Sequence, residues 1–117
     1  MSIEADRAKV AAILAGLPEI RHVTSHGNPS INVGKRFLTW VREPGVLVLA
    51  LPIEEKEMLM SLAPDIYFET DHYRGWPAVL IRLEAIPEEE LRQRLLAAWE
   101  RLMQKRALGR WKEAGGG

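Results

Sequence analysis

Apolar residues recur at helical spacing near both ends of the chain and again in its middle. The first such pattern spans residues 3–17, and Ser2 is a suitable N-cap for it. Two further segments, at residues 52–55 and 87–90, open with a proline followed by glutamates. Proline presets the backbone angle φ and acidic side chains favour the positive end of a helix. We therefore predict three helices, over about residues 3–17, 53–63 and 88–106.

Short runs of β-forming residues, separated by turn signals, fill the rest of the chain. They predict one hairpin with a turn at residues 26–29 and a second hairpin with a turn at residues 43–45. A third antiparallel pair follows, with Ile66 and Phe68 on one face of its first strand and Val79, Ile81 and Leu83 on one face of its second. The six predicted strands span residues 20–25, 30–33, 37–42, 46–51, 65–70 and 77–83.

The order of these elements predicts an α+β fold, in which helices pack mainly on one face of an antiparallel sheet. A chain of 117 residues is long enough for one hydrophobic core. We predict a single domain over residues 1–106, followed by a flexible C-terminal tail over residues 107–117. The hairpin tips are expected to project from one end of the sheet.

Composition adds constraints on location and partners. The chain has no cysteine, which excludes disulfides and thiolate chemistry and fits a reducing compartment. No apolar run approaches the ~20 residues that a membrane span requires. Because 16 basic residues balance 16 acidic ones, attraction to a polyanion must come from local clustering of charge. We predict a cytoplasmic protein without a membrane partner, with a monomer as the default state.

Cationic and aromatic residues occur together at the predicted hairpin ends and in the loop of residues 70–77. If the fold gathers them, the cations would neutralise phosphates while the aromatic rings stack on exposed bases. From the residues alone, solvated surface charges at turns are the commoner case. The candidate nucleic-acid-binding residues are Lys35, Arg36, Arg42, Arg74, His72, Tyr73 and Trp76.

A second cationic cluster runs from Arg101 to Lys112 and contains no acidic residue. Positive charge stabilises a helix C-terminus, so we interpret this cluster first as structural and only as an accessory anion site. Large aromatic residues usually fill the core of a small domain. Trp40 and Trp99 are therefore expected in the core or at its edge, whereas the loop position of Trp76 leaves a ligand role open.

Catalytic and metal-binding groups are not predicted. Asp71 and His72 are adjacent in sequence, but neighbouring side chains usually diverge and no nucleophile motif accompanies them. The three histidines lack the partners and spacing of a metal site, and no phosphate-binding glycine motif occurs. We therefore predict a protein that is not an enzyme and has no catalytic residue, metal or cofactor. A small-molecule or enzymatic site in residues 70–77 is the least favoured alternative.

Residues 26–37, with the sequence HGNPSINVGKRF, resemble the glycine, proline and V-x-G-K-x-F stretch of the MmcQ/YjbR family. Later segments at residues 52–56 and 68–80, and the helix through Leu95 and Trp99, agree with that family in order and spacing. The resemblance covers about residues 18–106. It implies a compact α+β domain of the double-wing, frataxin-like kind, and members of the family are described as DNA-binding proteins.

The leading hypothesis is accordingly a non-enzymatic DNA-binding protein of this family, which uses the candidate residues named above. The alternative is a protein–protein interaction or adaptor domain. Its basis is that apolar residues occupy both alternating faces of residues 37–41 and 46–51, which is typical of a core strand or of an exposed apolar sheet face. Burial of all these residues within one monomer would remove that basis.

Overall fold

Three helices and six strands make up the computed structural model, which describes the backbone of residues 2–113 and the side chains of that range except those of residues 106 and 108–113. The helices are α1 (Ile3–Leu14), α2 (Ile53–Leu62) and α3 (Glu88–Glu113). A short 3-10 turn covers Asp71–Tyr73. The strands are β1 (Ile20–Ser25), β2 (Asn28–Val33), β3 (Arg36–Glu43), β4 (Val46–Ala50), β5 (Tyr67–Phe68) and β6 (Ala78–Arg82).

The six strands form one sheet in the order β1-β2-β3-β4-β6-β5, and every neighbouring pair is antiparallel. The β1–β2 hairpin closes at His26 and Gly27, both of which have positive φ angles. Such a turn matches the twist of the flanking strands, and glycine adopts it without steric cost. The predicted α+β class, with its antiparallel sheet, is confirmed.

The helices pack on one face of this sheet and enclose the main core, so the predicted placement of the helices is confirmed. β4 and β6 consist mainly of apolar residues, and every second side chain along each strand points into this core. A bulge in the β2–β3 pairing lets Leu38 enter the core beside Thr39, whose hydroxyl donates to the Val48 carbonyl at 2.6 Å. The helices contribute Val10, Leu14, Leu59, Leu91, Leu95, Ala98 and Leu102.

The opposite face of the sheet, which we call the open face, carries a smaller apolar cluster. Val48, Ala78 and Leu80 are buried in it, because rings from the neighbouring strands and from the loop of residues 70–77 pack against them. The half-buried residues of this cluster are Trp40, Val46, Phe68 and Tyr73.

Two details of the sequence prediction need correction. Ile66 and Phe68 do not share one face as predicted: Ile66 and Tyr67 pack in the main core, whereas Phe68 packs on the open face. The pattern could not show this because β5 has only two residues, too few for an alternation to appear. Also, α3 continues to Glu113, beyond the predicted end near Arg106. Flexibility of residues 107–117 stays a prediction, and residues 114–117 lie outside the described residues.

The tips of the two predicted hairpins, at residues 26–29 and 43–45, lie at one end of the sheet as expected, but the loop of residues 70–77 precedes β6 at the other end. Lys35 lies in the turn before β3, whereas Arg42 lies near the far end of the same strand. They are seven positions apart in extended chain, a distance of roughly 23 Å. The turns on either side of β3 therefore project from opposite ends of the sheet.

Candidate nucleic-acid interface

A groove of about 750 Å³ crosses the open face. Its floor is the exposed side of β3 and β4, one wall is the loop of residues 70–77, and the other wall is the part of α3 around residues 101–105. The first hairpin closes one end with Ser25 and His26. The remaining lining residues are Arg36, Phe37, Trp40, Val48, Ala50, His72, Tyr73, Trp76, Pro77, Ala78, Arg101, Leu102 and Lys105.

Aromatic rings line the groove and are partly open to solvent. Trp76 is 58% exposed and Phe37 is 37% exposed, although both are large apolar side chains. The His72 ring stacks against the Trp76 ring with 6.5 Å between centroids and an interplanar angle of 12°. Tyr73 packs edge-on against His72 at 5.1 Å. The loop thus presents a prearranged set of rings rather than three independent side chains.

The charge of the groove is positive. Arg36, Arg101 and Lys105 line it, and no carboxylate is found among its described lining residues. The Arg101 guanidinium donates to the Ala50 carbonyl at 2.9 Å, which holds it against the end of β4. Burial lowers the pKa of Arg101 and nearby Glu55 opposes this shift, but an arginine remains protonated at neutral pH. The fold therefore concentrates positive charge that the net charge of zero conceals.

A buried lysine of α2 holds the loop wall in place. Lys56 is only 2% exposed, and its ammonium pairs with Glu69 at 2.8 Å. The same ammonium donates to the carbonyls of Tyr73 at 2.8 Å and Trp76 at 3.0 Å. All three donor hydrogens of the ammonium are therefore engaged. Lys56 thus fixes the backbone on both sides of Arg74 and Gly75, and with it the rings of the loop.

The structure brings four of the seven predicted residues into the groove, namely Arg36, His72, Tyr73 and Trp76. Arg42 lies beside them, 6.0 Å from the Tyr73 ring, and its guanidinium also pairs with Glu43 at 3.2 Å. Lys35 is exposed in the turn next to Arg36.

Arg74 differs from the other candidates because its charge is neutralised locally. It contacts Asp71 at 2.7 Å and Glu69 at 3.9 Å. Asp71 belongs to the same loop and Glu69 directly precedes it, so their negative charges largely cancel the positive potential that Arg74 would add to the groove. Of the four predicted cations, Arg36 is the one that lines the groove.

Comparison with known proteins agrees with the fold and motifs described above. The model of the family described as YjbR matches residues 15–101. The chain belongs to the YjbR family. The YjbR match includes the whole sheet, α2 and α3 as far as Arg101. The predicted resemblance is therefore confirmed.

Relatives of this YjbR chain share its architecture at low identity. It is 29% identical over 109 residues to the uncharacterized proteins Rv2570 of Mycobacterium tuberculosis and Mb2600 of Mycobacterium bovis, covering 77% of this chain and 82% of each relative. The crystal structure of Deinococcus radiodurans protein DR2400, with a domain called DUF419, superposes with a TM-score of 0.67 at 18% identity. That alignment covers 85% of this chain and 77% of the other. This likeness establishes the fold.

Sequence reasoning missed three contributors to the YjbR groove. Phe37 was considered only as a strand residue and Trp40 only as a residue of the core or its edge, yet both also line the groove. Lys56 shares a helix face with Leu59, three residues later, and this spacing was the available signal for its burial. Arg101 and Lys105, which were interpreted as an accessory anion site at most, also lie in the groove wall. The other members of that cationic cluster have side chains outside the described residues; they are Arg106, Arg110 and Lys112.

The exposed apolar surface that would support the protein-interaction alternative is confined to the groove in the described part of β3 and β4. Leu38, Leu47 and Leu49 are fully buried, as is Val48 on the other face. Trp40 is half-buried, and the exposed apolar area of these strands is mainly that of Phe37.

Asp71 and His72 of this loop are not arranged as a catalytic pair. Asp71 is bound to Arg74, and no hydrogen bond joins it to His72 among the described residues. Within the same part of the chain, no three histidine, aspartate or glutamate residues lie close enough to hold a metal ion. None of the described helices is long and apolar enough to cross a membrane.

Proposed function

We propose that this YjbR-family protein binds DNA through the groove of the open face, without catalysing a reaction on it, and that it prefers an unpaired strand. The observation that carries the proposal is the composition of the groove. Three cations and several partly exposed rings line it, with no carboxylate among its described lining residues. Cations that follow a backbone, combined with rings on which bases stack, are the usual means of binding single-stranded nucleic acid.

Each group has a specific part in the proposed complex. Arg36 lies at the β3 side of the groove and Arg101 and Lys105 at the α3 side, so phosphates passing along it meet positive charge from both walls. Trp76 and Phe37 are the exposed large apolar rings of the groove, and we expect them to stack on bases. A duplex hides the faces of its bases within the stack, so this combination favours an unpaired segment.

The salt dependence of binding tests the phosphate contacts. Three contacts to a single strand, each contributing ~0.7, predict a slope of about −2 for log K against log salt concentration. We would measure it by fluorescence anisotropy with a labelled oligothymidylate, and with a duplex of the same length, at several salt concentrations. Failure of both probes to bind at low salt would refute the proposal.

A matched pair of arginine variants tests the location of the site. Arg36→Ala removes a groove cation and should reduce the slope by ~0.7, with weaker binding to every sequence. Arg92→Ala removes an exposed cation of α3 that does not line the groove, and it should leave both affinity and slope close to those of the unmodified protein. Equal losses in the two variants would place binding elsewhere.

A further inference from the structure

A second cavity lies on the helix-covered side of the sheet, between α1 and the outer strands β1, β2 and β3. Its volume is about 360 Å³, within the range of roughly 300 to 1,000 Å³ typical of small-molecule sites. Ala8 and Ala11 of α1 line it, and their short side chains leave space above the strands. The buried residues Val10, Ile31 and Val41 give it an apolar wall. The cavity is therefore large enough for a small organic molecule.

Arg7 brings an unmatched positive charge to this cavity. Its Nε atom is buried and has no hydrogen-bond partner, and no ion pair to Arg7 occurs among the described residues. Among the described residues, no hydrogen bond or ion pair joins Arg7 to its neighbour Asp6, whose buried carboxylate accepts from the backbone N–H of Gly45 at 2.8 Å. A buried guanidinium donor without an acceptor is costly, so an acceptor from outside the chain would be stabilising.

Further polar groups line the same cavity from the strands. His22 and Thr24 of β1 contribute an imidazole and a hydroxyl, and Ser30 of β2 contributes a second hydroxyl. The described lining contains no carboxylate that would repel an anion. The cavity thus combines donors and one cation with an apolar wall.

We propose that this cavity binds a small organic acid, with its carboxylate on Arg7 and its apolar body against Val10, Ile31 and Val41. A planar guanidinium forms short, charge-assisted hydrogen bonds with a carboxylate, so a ligand carboxylate would neutralise the Arg7 charge that lines the cavity. The inference does not depend on DNA binding, because Arg7, Val10, Ile31 and Val41 line this cavity and not the groove.

Nuclear magnetic resonance titration of the isotopically labelled full chain tests this inference. The probes are phenylacetate and isovalerate, with phenylacetamide and isovaleramide as uncharged analogues of the same shape. We expect the acids to shift the backbone amide resonances of Ala8, Ala11, Thr24 and Ile31, and to bind at least about tenfold more tightly than the amides, since hydrogen bonds to a charged group are the stronger ones. Absence of these shifts with both acids, or equal affinity for acids and amides, would overturn it.

Three variants separate a bound carboxylate from a general electrostatic effect. Arg7→Met removes the charge and keeps the unbranched stem, so the preference for acids over amides should disappear. Lys9→Met removes a neighbouring α1 cation that does not line the cavity, and the preference should remain. Ala11→Leu should fill the cavity and abolish binding of all four probes. Loss of the preference in Lys9→Met as well, or unchanged binding in Ala11→Leu, would contradict the proposal.

Discussion

The two faces of the sheet differ although the same strands form both. On the helix-covered face, β4 and β6 present Leu47, Leu49, Val79 and Ile81, which are all fully buried. On the open face, the apolar cluster is covered by rings from strands and loop rather than by a helix, and Trp40 remains half-buried. Aliphatic side chains packed between a sheet and helices contribute stability, whereas rings and cations left partly in water remain available to a ligand.

The open face keeps its shape without a helical cover because a buried lysine holds the loop of residues 70–77. Lys56 reaches from α2 to the loop and binds Glu69 together with two backbone carbonyls. An ionic group that is buried and fully hydrogen-bonded can fix one arrangement of a loop, and its removal leaves the partners unpaired. We infer that the helix-covered face gives the domain its stability and that Lys56 transfers this rigidity to the groove.

The largest expected effect is on the helix-covered face. Leu47→Ala creates a cavity in the main core and should lower the free energy of unfolding by about 3 kcal/mol. Phe37→Ala on the open face removes a ring that is 37% exposed and should cost less than about 1 kcal/mol. Urea denaturation of both variants measures the difference. Similar losses in the two would show that the faces do not divide their roles as described.

Lys56→Met tests the link between the faces. It should lower the free energy of unfolding by about 2 kcal/mol, because Glu69 and two carbonyls lose their donor. The control is Lys9→Met, whose ion pair with Glu88 is solvent-exposed and should contribute less than about 1 kcal/mol.

Both lysine variants are also to be compared in the anisotropy assay. Lys56→Met should weaken binding of the oligothymidylate even under conditions in which the protein remains folded, because the loop rings lose their fixed position. Unchanged affinity in a folded Lys56→Met protein would argue against a role of the loop in binding.

Trp76→Ala should separate binding from stability on the open face. Loss of one stacking ring is expected to weaken single-strand binding about tenfold, the lower part of the 1–3 kcal/mol range for base–aromatic stacking. The free energy of unfolding should change by less than about 0.5 kcal/mol, because the ring is 58% exposed. Leu62→Ala, which removes a 74% exposed side chain on α2, is the control and should change neither quantity.

A smaller effect than those of Leu47→Ala and Lys56→Met is expected for a polar contact at the edge of the main core. The Tyr67 hydroxyl donates to Glu90 and accepts from Arg94 at 3.1 Å, and burial together with the Glu90 bond raises the pKa of Tyr67 above its ordinary value of 10.0. Tyr67→Phe should cost about 1 kcal/mol at neutral pH.

The pH dependence of unfolding distinguishes this contact from simple packing. Above pH 10.0 the unfolded chain releases the Tyr67 proton while the folded protein retains it, so the contribution of this group is present below that pH and is lost as the pH rises toward the folded pKa. Urea denaturation from neutral pH to above 10.0 should therefore show a steeper loss in the unmodified protein than in Tyr67→Phe. Parallel curves would contradict the assigned shift.

Local patterns were sufficient for much of the architecture. The prolines and glutamates at residues 52–55 and 87–90 correctly located the starts of α2 and α3, and the turn signals correctly separated the two hairpins. They failed at β5, where Ile66 and Phe68 were expected on one face but pack in different clusters, because the orientation of a two-residue strand depends on its neighbour β6. The groove was predictable only as a set of candidates, since ion pairs such as that of Arg74 with Asp71 depend on loop geometry.

Sequence alone determined the helices, most of the strands, the family motifs and the zero net charge, because each of these depends on residue type and on spacing over a few positions. Tertiary structure decided which cations share a groove, which lysine is buried and which arginine lacks a partner. These properties arise from contacts between residues far apart in the chain. Lys56 and Trp76, for example, are separated by 20 positions and joined by one hydrogen bond.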